Sequence, residues 1–412
     1  MSLTIDRDRL LSEIDALASF SDAEAPAVTR IVFTPTDLRA RAWMKARCED
    51  AGLTVRQDAV GNTFARWNGS NPAAPVVGTG SHIDAIPNAG KFDGVVGVLG
   101  GLEAVRALRE SGFHPMHSIE LLIFTSEEPT RFGIGCLGSR LLSASLSPEA
   151  ARKLTDNDGA TLDEVRRRAG FGSELEQVKL HSGYYKAFVE LHIEQGPLLE
   201  RQQVPLGIVT NIAAPASLRV LIEGSGGHAG GVLMPDRSDA LCAAAEMILA
   251  IEEAARTSGA VDTVATVGIC DVFPGAVNSI PSRVRLSVDI RDTDLQRRDR
   301  VVQTIETACH SIAMERGLSA KFELLNADAP ANCAPAIVEA LSQSCRKHNL
   351  EFLSMVSRAY HDSLFVARVA PVGMLFIPCR NGYSHRPDEY AAPEDIVRGT
   401  LVLAETLAAL AQ

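Results

Sequence analysis

Three residues of metal-binding type stand close together in the segment GSHIDAIPNAGKFDG: His82, Asp84 and Asp93. Further along come an adjacent carboxylate pair, Glu127 and Glu128, then His192 in ELHIEQG and His385 in CRNGYSH. Imidazoles and carboxylates in this combination suit a divalent cation such as Zn²⁺, Mn²⁺, Co²⁺ or Ni²⁺. Two such ions about 3.5–4 Å apart require a bridging carboxylate and an activated water, and Asp93 is the natural bridge. The glutamate pair can divide the work, one carboxylate ligating while its neighbour takes a proton from the water. In the H-x-D triplet, Asp84 can hold the second ring nitrogen of His82 and so fix its tautomer. Each feature alone has a plain structural explanation: H-x-D as a surface turn, E-E as a solvated strand end, His192 as a hydrogen-bonded core histidine. The argument for a metal site rests on their arriving together. His114, His117, His181, His310 and His348 lie in helical or loop contexts and are expected at the surface.

Only a shared scaffold can bring residues this far apart in sequence together. Each lies at or just beyond an apolar run that reads as a buried strand: APVVGTGS (74–81), IELLIFTS (119–126), AFVELHI (187–193) and PVGMLFIPC (371–379). VVGVLGGLEAVRALRE (95–110) reads as a helix. Strands alternating with helices imply an α/β fold with a mostly parallel sheet covered by helices, and ligands gather at the carboxyl ends of such strands. From residue 212 the texture changes: SLRVLIEG and PSRVRLSVDIRD alternate apolar and polar residues, as half-exposed antiparallel strands do. SDALCAAAEMILAIEEAART between them is a helix, and the buried texture resumes after residue 328. The expected organisation is a discontinuous catalytic domain, 1–211 and 329–412, interrupted by a smaller α+β domain at 212–328.

Bulk composition removes several classes of function. The 412 residues exceed what one simple core organises, so two domains are expected. A net charge of −11 argues against nucleic acid or an anionic membrane as the main partner. No apolar run reaches the roughly 18 residues of a membrane span. The opening MSLTIDRDRLLSEIDAL reads as an amphipathic helix without the basic and apolar regions of a signal peptide. The eight cysteines form no CxxC pair, as expected of reduced thiols in a cytoplasmic protein. GIGCLG (133–138) matches a dinucleotide-binding pattern but does not directly follow a strand, and no G-x-S-x-G of a serine hydrolase occurs.

Six segments carry a resemblance to a known family: GSHIDAIPNAGKFDGVVGVLGGLEAVRAL, FTSEEPTRFGIGCLGSRLL, ELHIEQGPLLE, GSGGHAGGVLMPDRSDAL, PGAVNSIPSRVRLSVDIRD and HDSLFVARVAPVGMLFIPCRNGYSHRPDEY. In this order they resemble the hydantoinase/carbamoylase group of dinuclear, M20-type metallopeptidase-like amidohydrolases, over nearly the whole chain. The resemblance implies a metallopeptidase-like catalytic domain with an inserted domain that makes a homodimer. It places His82, Asp93, Glu128, His192 and His385 at metal-ligand positions, with two divalent ions (Mn²⁺ or Zn²⁺ foremost) bridged by Asp93. Glu127 falls on the general-base position. Gln195, His228, Asn278 and Arg291 fall on substrate-binding positions, and the inserted domain brings a histidine and an asparagine to the partner's site. His361 is expected beside the substrate.

The residue chemistry is compatible with substrates that are small acids bearing a ureido group. Arg291 can grip a carboxylate bidentately, Asn278 and Gln195 offer amide hydrogen bonds, and His228 in its Gly-rich loop can stabilise an oxyanion. The plain alternatives are an Arg291 paired with Asp289 or Asp292 and an Asn278 capping a turn. Within the group, EEPTRF and RAYHDSLFVARVAP are most similar to ureidoglycolate amidohydrolases. Tyr360 stands where an SGAGHDA-like segment would have glycine, and a bulkier residue there favours a small substrate. The expected reaction is hydrolysis of a ureido C–N bond, releasing ammonia and carbon dioxide. The alternatives are allantoate, N-carbamoyl-L-amino acid or β-ureidopropionate hydrolysis, an aminoacylase or exopeptidase, and a catalytically silent binding protein.

Overall fold

The computed structural model describes residues 3–412. Elements used below are, in chain order, β1 (Thr54–Gln57), β2 (Thr63–Trp67), β3 (Val76–His82), α1 (Val95–Glu110), β4 (Ile119–Phe124), β5 (Tyr185–Ile193) and β6 (Gly207–Ile212). There follow β7 (Ala214–Glu223), α2 (Ala240–Arg256), β8 (Val264–Phe273), β9 (Arg283–Asp292), α3 (Leu295–Glu315) and β10 (Ser319–Ala327). The chain closes with α4 (Pro335–Lys347), β11 (Val372–Ile377) and α5 (Pro393–Leu410). It divides into two compact units: the chain up to Thr210 with Asn332–Ser357 and His361–Gln412, and Asn211–Ala331 with Arg358–Tyr360.

In the first unit one sheet runs β6-β11-β5-β3-β4-β2-β1. Its centre is parallel: β11 with β5, β5 with β3, β3 with β4. Its flanks are antiparallel, so the sheet is mixed. The link from β1 to β2 is too short for the crossover that a parallel pair requires. Alternating side chains feed two cores. Ile119, Leu121 and Ile123 of β4 pack with α1 and α5, while Leu122 and Phe124 face the helices Leu137–Leu142 and Leu162–Arg168. Helix α1 lies directly on β5, because a Cβ at Gly97 would stand 2.3 Å from the Leu191 carbonyl oxygen. The amphipathic N-terminal stretch folds as a helix over Arg7–Ala18, capped by Asp6 and burying Leu10, Ile14 and Leu17.

The second unit is an antiparallel sheet ordered β8-β9-β7-β10, with α2 and α3 against one face. Strand β9 shows the reason in its sequence: Val284, Leu286, Val288 and Ile290 are buried, and the residues between them are not. Among the described residues no helix is long and apolar enough to cross a membrane. All eight cysteines are unpaired. One expectation is corrected: His117 is buried, not superficial, with its Nδ1 2.7 Å from the Pro75 carbonyl oxygen.

Candidate metal centre

Strands β11, β5, β3 and β4 are neighbours and run parallel, so their carboxyl ends lie along one edge. His82 ends β3 in register with Phe124, and His192 of β5 is in register with Phe376. Extending the Thr79–Val189 pairing along both strands sets His82 beside His192, and their rings are 6.1 Å apart. Glu127 and Glu128 follow β4, and His385 lies on the loop after β11 with a left-handed φ of 60°. Asp93 immediately precedes the N-cap of α1, Gly94, whose φ is 67°. A side chain at Gly94 would meet the His82 ring at 2.5 Å, so only glycine lets Asp93 approach the histidines here.

Asp93 stands at the middle of the cluster. Its Oδ1 is 3.6 Å from His82 Nε2 and 3.1 Å from His192 Nε2. Its Oδ2 is 3.2 Å from His385 Nε2, which in turn is 3.3 Å from Glu128 Oε1. Two donor sets, each able to hold a metal ion, therefore share one carboxylate: His82–Asp93–His192 and Asp93–Glu128–His385. The nitrogens facing away are already engaged. His82 Nδ1 is 3.1 Å from the Asp84 carbonyl oxygen, and His192 Nδ1 is 2.9 Å from that of Ile193. Both Nε2 atoms thus face Asp93 in the tautomer that ligates a cation. Burial opposes a charge on His82, yet Asp93, Glu127 and Asp84 outweigh it and hold its pKa well above the ordinary value. A buried site this rich in negative charge fits a bound cation. A third grouping, Glu190–His192–His361, shares His192. Both nitrogens of that ring are taken, and Glu190 accepts the hydroxyls of Ser81 at 2.8 Å and Ser363 at 2.6 Å. This grouping supports His192, as does His361, buried with its ring 4.5 Å from that of His192.

The expected role of Asp84 needs correction. Its carboxylate is 3.8 Å from His82 Nδ1, and the nearer partner is its own backbone carbonyl. The carboxylate instead accepts the backbone N–H groups of Glu127 at 3.2 Å and Glu128 at 3.0 Å. Asp84 so orients the glutamate pair, which an H-x-D pattern alone does not reveal. Glu127 Oε2 lies 3.9 Å from His82 Nε2, and the Cys136 thiol donates to its Oε1 at 3.4 Å. Burial raises the Glu127 pKa well above the carboxylate range; Glu128, Asp362 and Asp93 add to this, and His82 opposes it. A raised proton affinity suits a carboxylate to taking a proton.

Two residues that sequence patterns missed complete the centre. Glu389 is buried, with its pKa pushed up to about 7 by burial and the neighbouring Asp93 charge. It accepts from the amides of Phe92 and Asp93 and from the Ser384 hydroxyl. Ser384 Oγ is also 2.7 Å from Asp93 Oδ2. Gln195, with φ 54°, donates to the same Oδ2 at 2.7 Å, which puts it beside the two donor sets.

In the second unit, a short antiparallel ladder pairs His228 with Ser279, and the Ala229 amide donates to the Asn278 carbonyl. His228 and Asn278 are thereby brought together, both exposed. Arg291 bonds Asp289 through Nε at 2.7 Å and lies 5.6 Å from the Tyr360 ring centroid. Asp292 instead pairs with Arg297.

Known proteins share the family and the fold of this chain. The model of Peptidase family M20/M25/M40 matches residues 78–409. Ureidoglycolate hydrolase of Arabidopsis thaliana is 51% identical over 99% of this chain and 87% of its own length. N-carbamoyl-L-amino-acid amidohydrolase of a Pseudomonas strain is 39% identical over 98% of this chain and 99% of its own. Crystal structures of AtUAH in complex with glyoxylate and with (S)-hydroxyglycine each superpose with a TM-score of 0.91 at 50% identity, covering 100% of this chain and 99% of theirs.

Proposed function

The chain belongs to peptidase family M20/M25/M40, and from that premise we propose that this hydrolase cleaves the ureido C–N bond of ureidoglycolate. The observation that carries the proposal is the pair of donor sets joined through Asp93 with Glu127 alongside, in a chain 51% identical to a ureidoglycolate hydrolase. His82, His192 and Asp93 would hold one divalent ion and His385, Glu128 and Asp93 a second, a donor set that suits Mn²⁺ or Zn²⁺. Such ions, when bound, polarise a carbonyl and lower the pKa of water. Glu127 removes a proton from the attacking water and returns it to the leaving nitrogen. Asp84 orients Glu127 through its amide.

One water divides ureidoglycolate into hydroxyglycine and carbamic acid, which falls to ammonia and carbon dioxide. Hydroxyglycine then loses ammonia to leave glyoxylate. These are the two ligands named in the AtUAH complexes. Arg291 binds the substrate carboxylate, and Gln195, His228 and Asn278 take its polar groups. The Arg291–Tyr360 stack supports a small acid over a bulky N-carbamoyl amino acid. The test is ammonia release from ureidoglycolate, allantoate, N-carbamoyl-β-alanine and several N-carbamoyl-L-amino acids. The proposal expects ureidoglycolate to lead in kcat/KM, and a lead for any other substrate overturns it.

The second unit carries the homodimer contact in this proposal, in the cytoplasm, where unpaired thiols remain reduced. Its support is the exposed apolar surface of α2 and the edge strand β8, where Leu249 is 65%, Ile269 49% and Phe273 53% exposed. His228 then serves the partner's metal centre. Mixing inactive His228→Ala and Glu127→Gln subunits tests this: a shared site restores about half the activity per mixed dimer. No recovery after proven exchange defeats the shared site.

A further inference from the structure

We infer that Glu389 is a positioning residue that clasps the His385 loop to the Asp93 loop and so holds the second donor set in its binding geometry. The two donor sets are built differently. His82 and His192 lie in strands of the central sheet, with side chains 3% and 1% exposed. His385 lies outside helix and strand, is 47% exposed and adopts a backbone conformation that non-glycine residues seldom take. Something beyond regular structure must hold it.

Glu389 is placed to do so. One oxygen, Oε1, accepts the Phe92 amide at 2.8 Å and the Asp93 amide at 3.2 Å. The other, Oε2, takes the Ser384 hydroxyl at 2.8 Å, one residue before His385. A single carboxylate thus joins the backbone of the bridging aspartate to the loop of the histidine that shares it. The rest of the seam fits closely. A Cβ at Gly90 would stand 2.3 Å from the Glu389 Cβ, so glycine permits the loop to close on the clasp. The Phe92 ring meets the Tyr390 ring edge-on at 6.2 Å. Neither Glu389 nor Ser384 is among the grouped donors. Their effect reaches a cation only through the placement of Asp93 and His385.

The inference rests on the two-ion proposal, and the experiment separates the two. Metal-free protein is titrated with Mn²⁺ while free Mn²⁺ is followed by electron paramagnetic resonance. The wild type is expected to bind two equivalents. Glu389→Ala should leave the tighter equivalent unchanged and weaken the other by about 10–100-fold, the usual cost of losing a residue that orients a ligand. Glu389→Gln keeps an oxygen for both amides and should recover part of that loss. Ser384→Ala, a milder change that tests the clasp should Glu389→Ala fold poorly, should weaken the same equivalent alone. In metal-free protein, amide exchange at Phe92 and Asp93 should quicken in Glu389→Ala and remain slow in Glu389→Gln. Two undiminished equivalents in Glu389→Ala would sink the inference alone, as would equal weakening of both equivalents in Ser384→Ala. One equivalent on the wild type would sink the two-ion proposal, and the clasp with it.

Discussion

At the carboxyl ends of β3, β4 and β5, ionisable groups are buried and held by several partners. Asp93 alone is approached by His82, His192, His385, Gln195 and Ser384. The polar residues of the second unit are held in a different way. His228 and Asn278 are exposed, and the 29% exposed Arg291 is engaged by a 41% exposed Asp289 on its own strand. The difference separates two tasks. A group that binds a cation or moves a proton gains from burial, where interactions strengthen and geometry is set in advance. A group that recognises a substrate must exchange one partner for another, so weak and solvated pairing serves it better. Substitutions in the first region should therefore alter metal content and kcat. In the second, substitutions of Arg291 and Asp289 should alter KM and leave stability within about 0.5 kcal/mol, as ordinary surface changes do.

The largest effect should come from Asp93, the one residue common to both donor sets. Asp93→Ala is expected to lose at least one equivalent of metal and to reduce turnover by more than about 10⁴-fold, beyond the loss of a general base alone. Elemental analysis with a turnover assay decides it; full occupancy and retained activity would remove Asp93 from the bridge. Next comes the glutamate pair, where neighbours should fail in opposite ways. Glu127→Gln should keep its metal and lose about 10²–10⁴ in kcat, whereas Glu128→Gln should lose metal first. The reverse pattern would exchange their roles.

How much of this was legible in sequence follows from what each residue does. His82, His192 and the Glu127–Glu128 pair stand at the ends of apolar runs, and a strand end is visible as a change from apolar to polar. Asp93 was visible because a small-residue helix begins directly after it. Asp84 was misread because H-x-D shows spacing but not direction: its carboxylate turns to the amides of the loop after β4. Glu389 and Ser384 lie within a segment that carries the family resemblance, but accepting a backbone amide requires no characteristic spacing, so nothing singled them out. His117 is buried by contact with the Pro75 carbonyl, a tertiary event no local pattern records. The mixed character of the sheet was hidden for a related reason: β1 and β2 are short and pair locally, while the alternation of strand and helix reports only the centre.

A smaller effect is expected at Arg291. Arg291→Lys keeps the charge and removes the planar fork that matches a carboxylate. With charged hydrogen bonds worth about 1.5–3 kcal/mol, KM for ureidoglycolate should rise by about 10–100-fold with kcat little changed. Bound metal and melting temperature should stay at wild-type values. A fall in kcat with KM unchanged would move Arg291 from recognition into the chemical step and erase the distinction between the two regions.

The smallest effect is the most discriminating, because the sign of the change is what matters. Asp289 holds Arg291 through Nε at 2.7 Å and Nη2 at 3.4 Å, a forked edge of the guanidinium of the kind that binds a carboxylate. If the pair is only a resting partner, Asp289→Asn removes a competitor. A partly exposed pair is worth about 0–1 kcal/mol, so KM should fall by at most about fivefold, with kcat unaffected. The gain should shrink as salt is added, since screening weakens the pair in the wild type as well. If Asp289 instead holds the guanidinium in the orientation the substrate requires, the same substitution raises KM and Arg291 becomes a preorganised group like those of the metal centre. A KM series for Asp289→Asn at low and high ionic strength separates the two, and a rise at both would mean that the second unit, for all its exposure, is built in advance for its ligand.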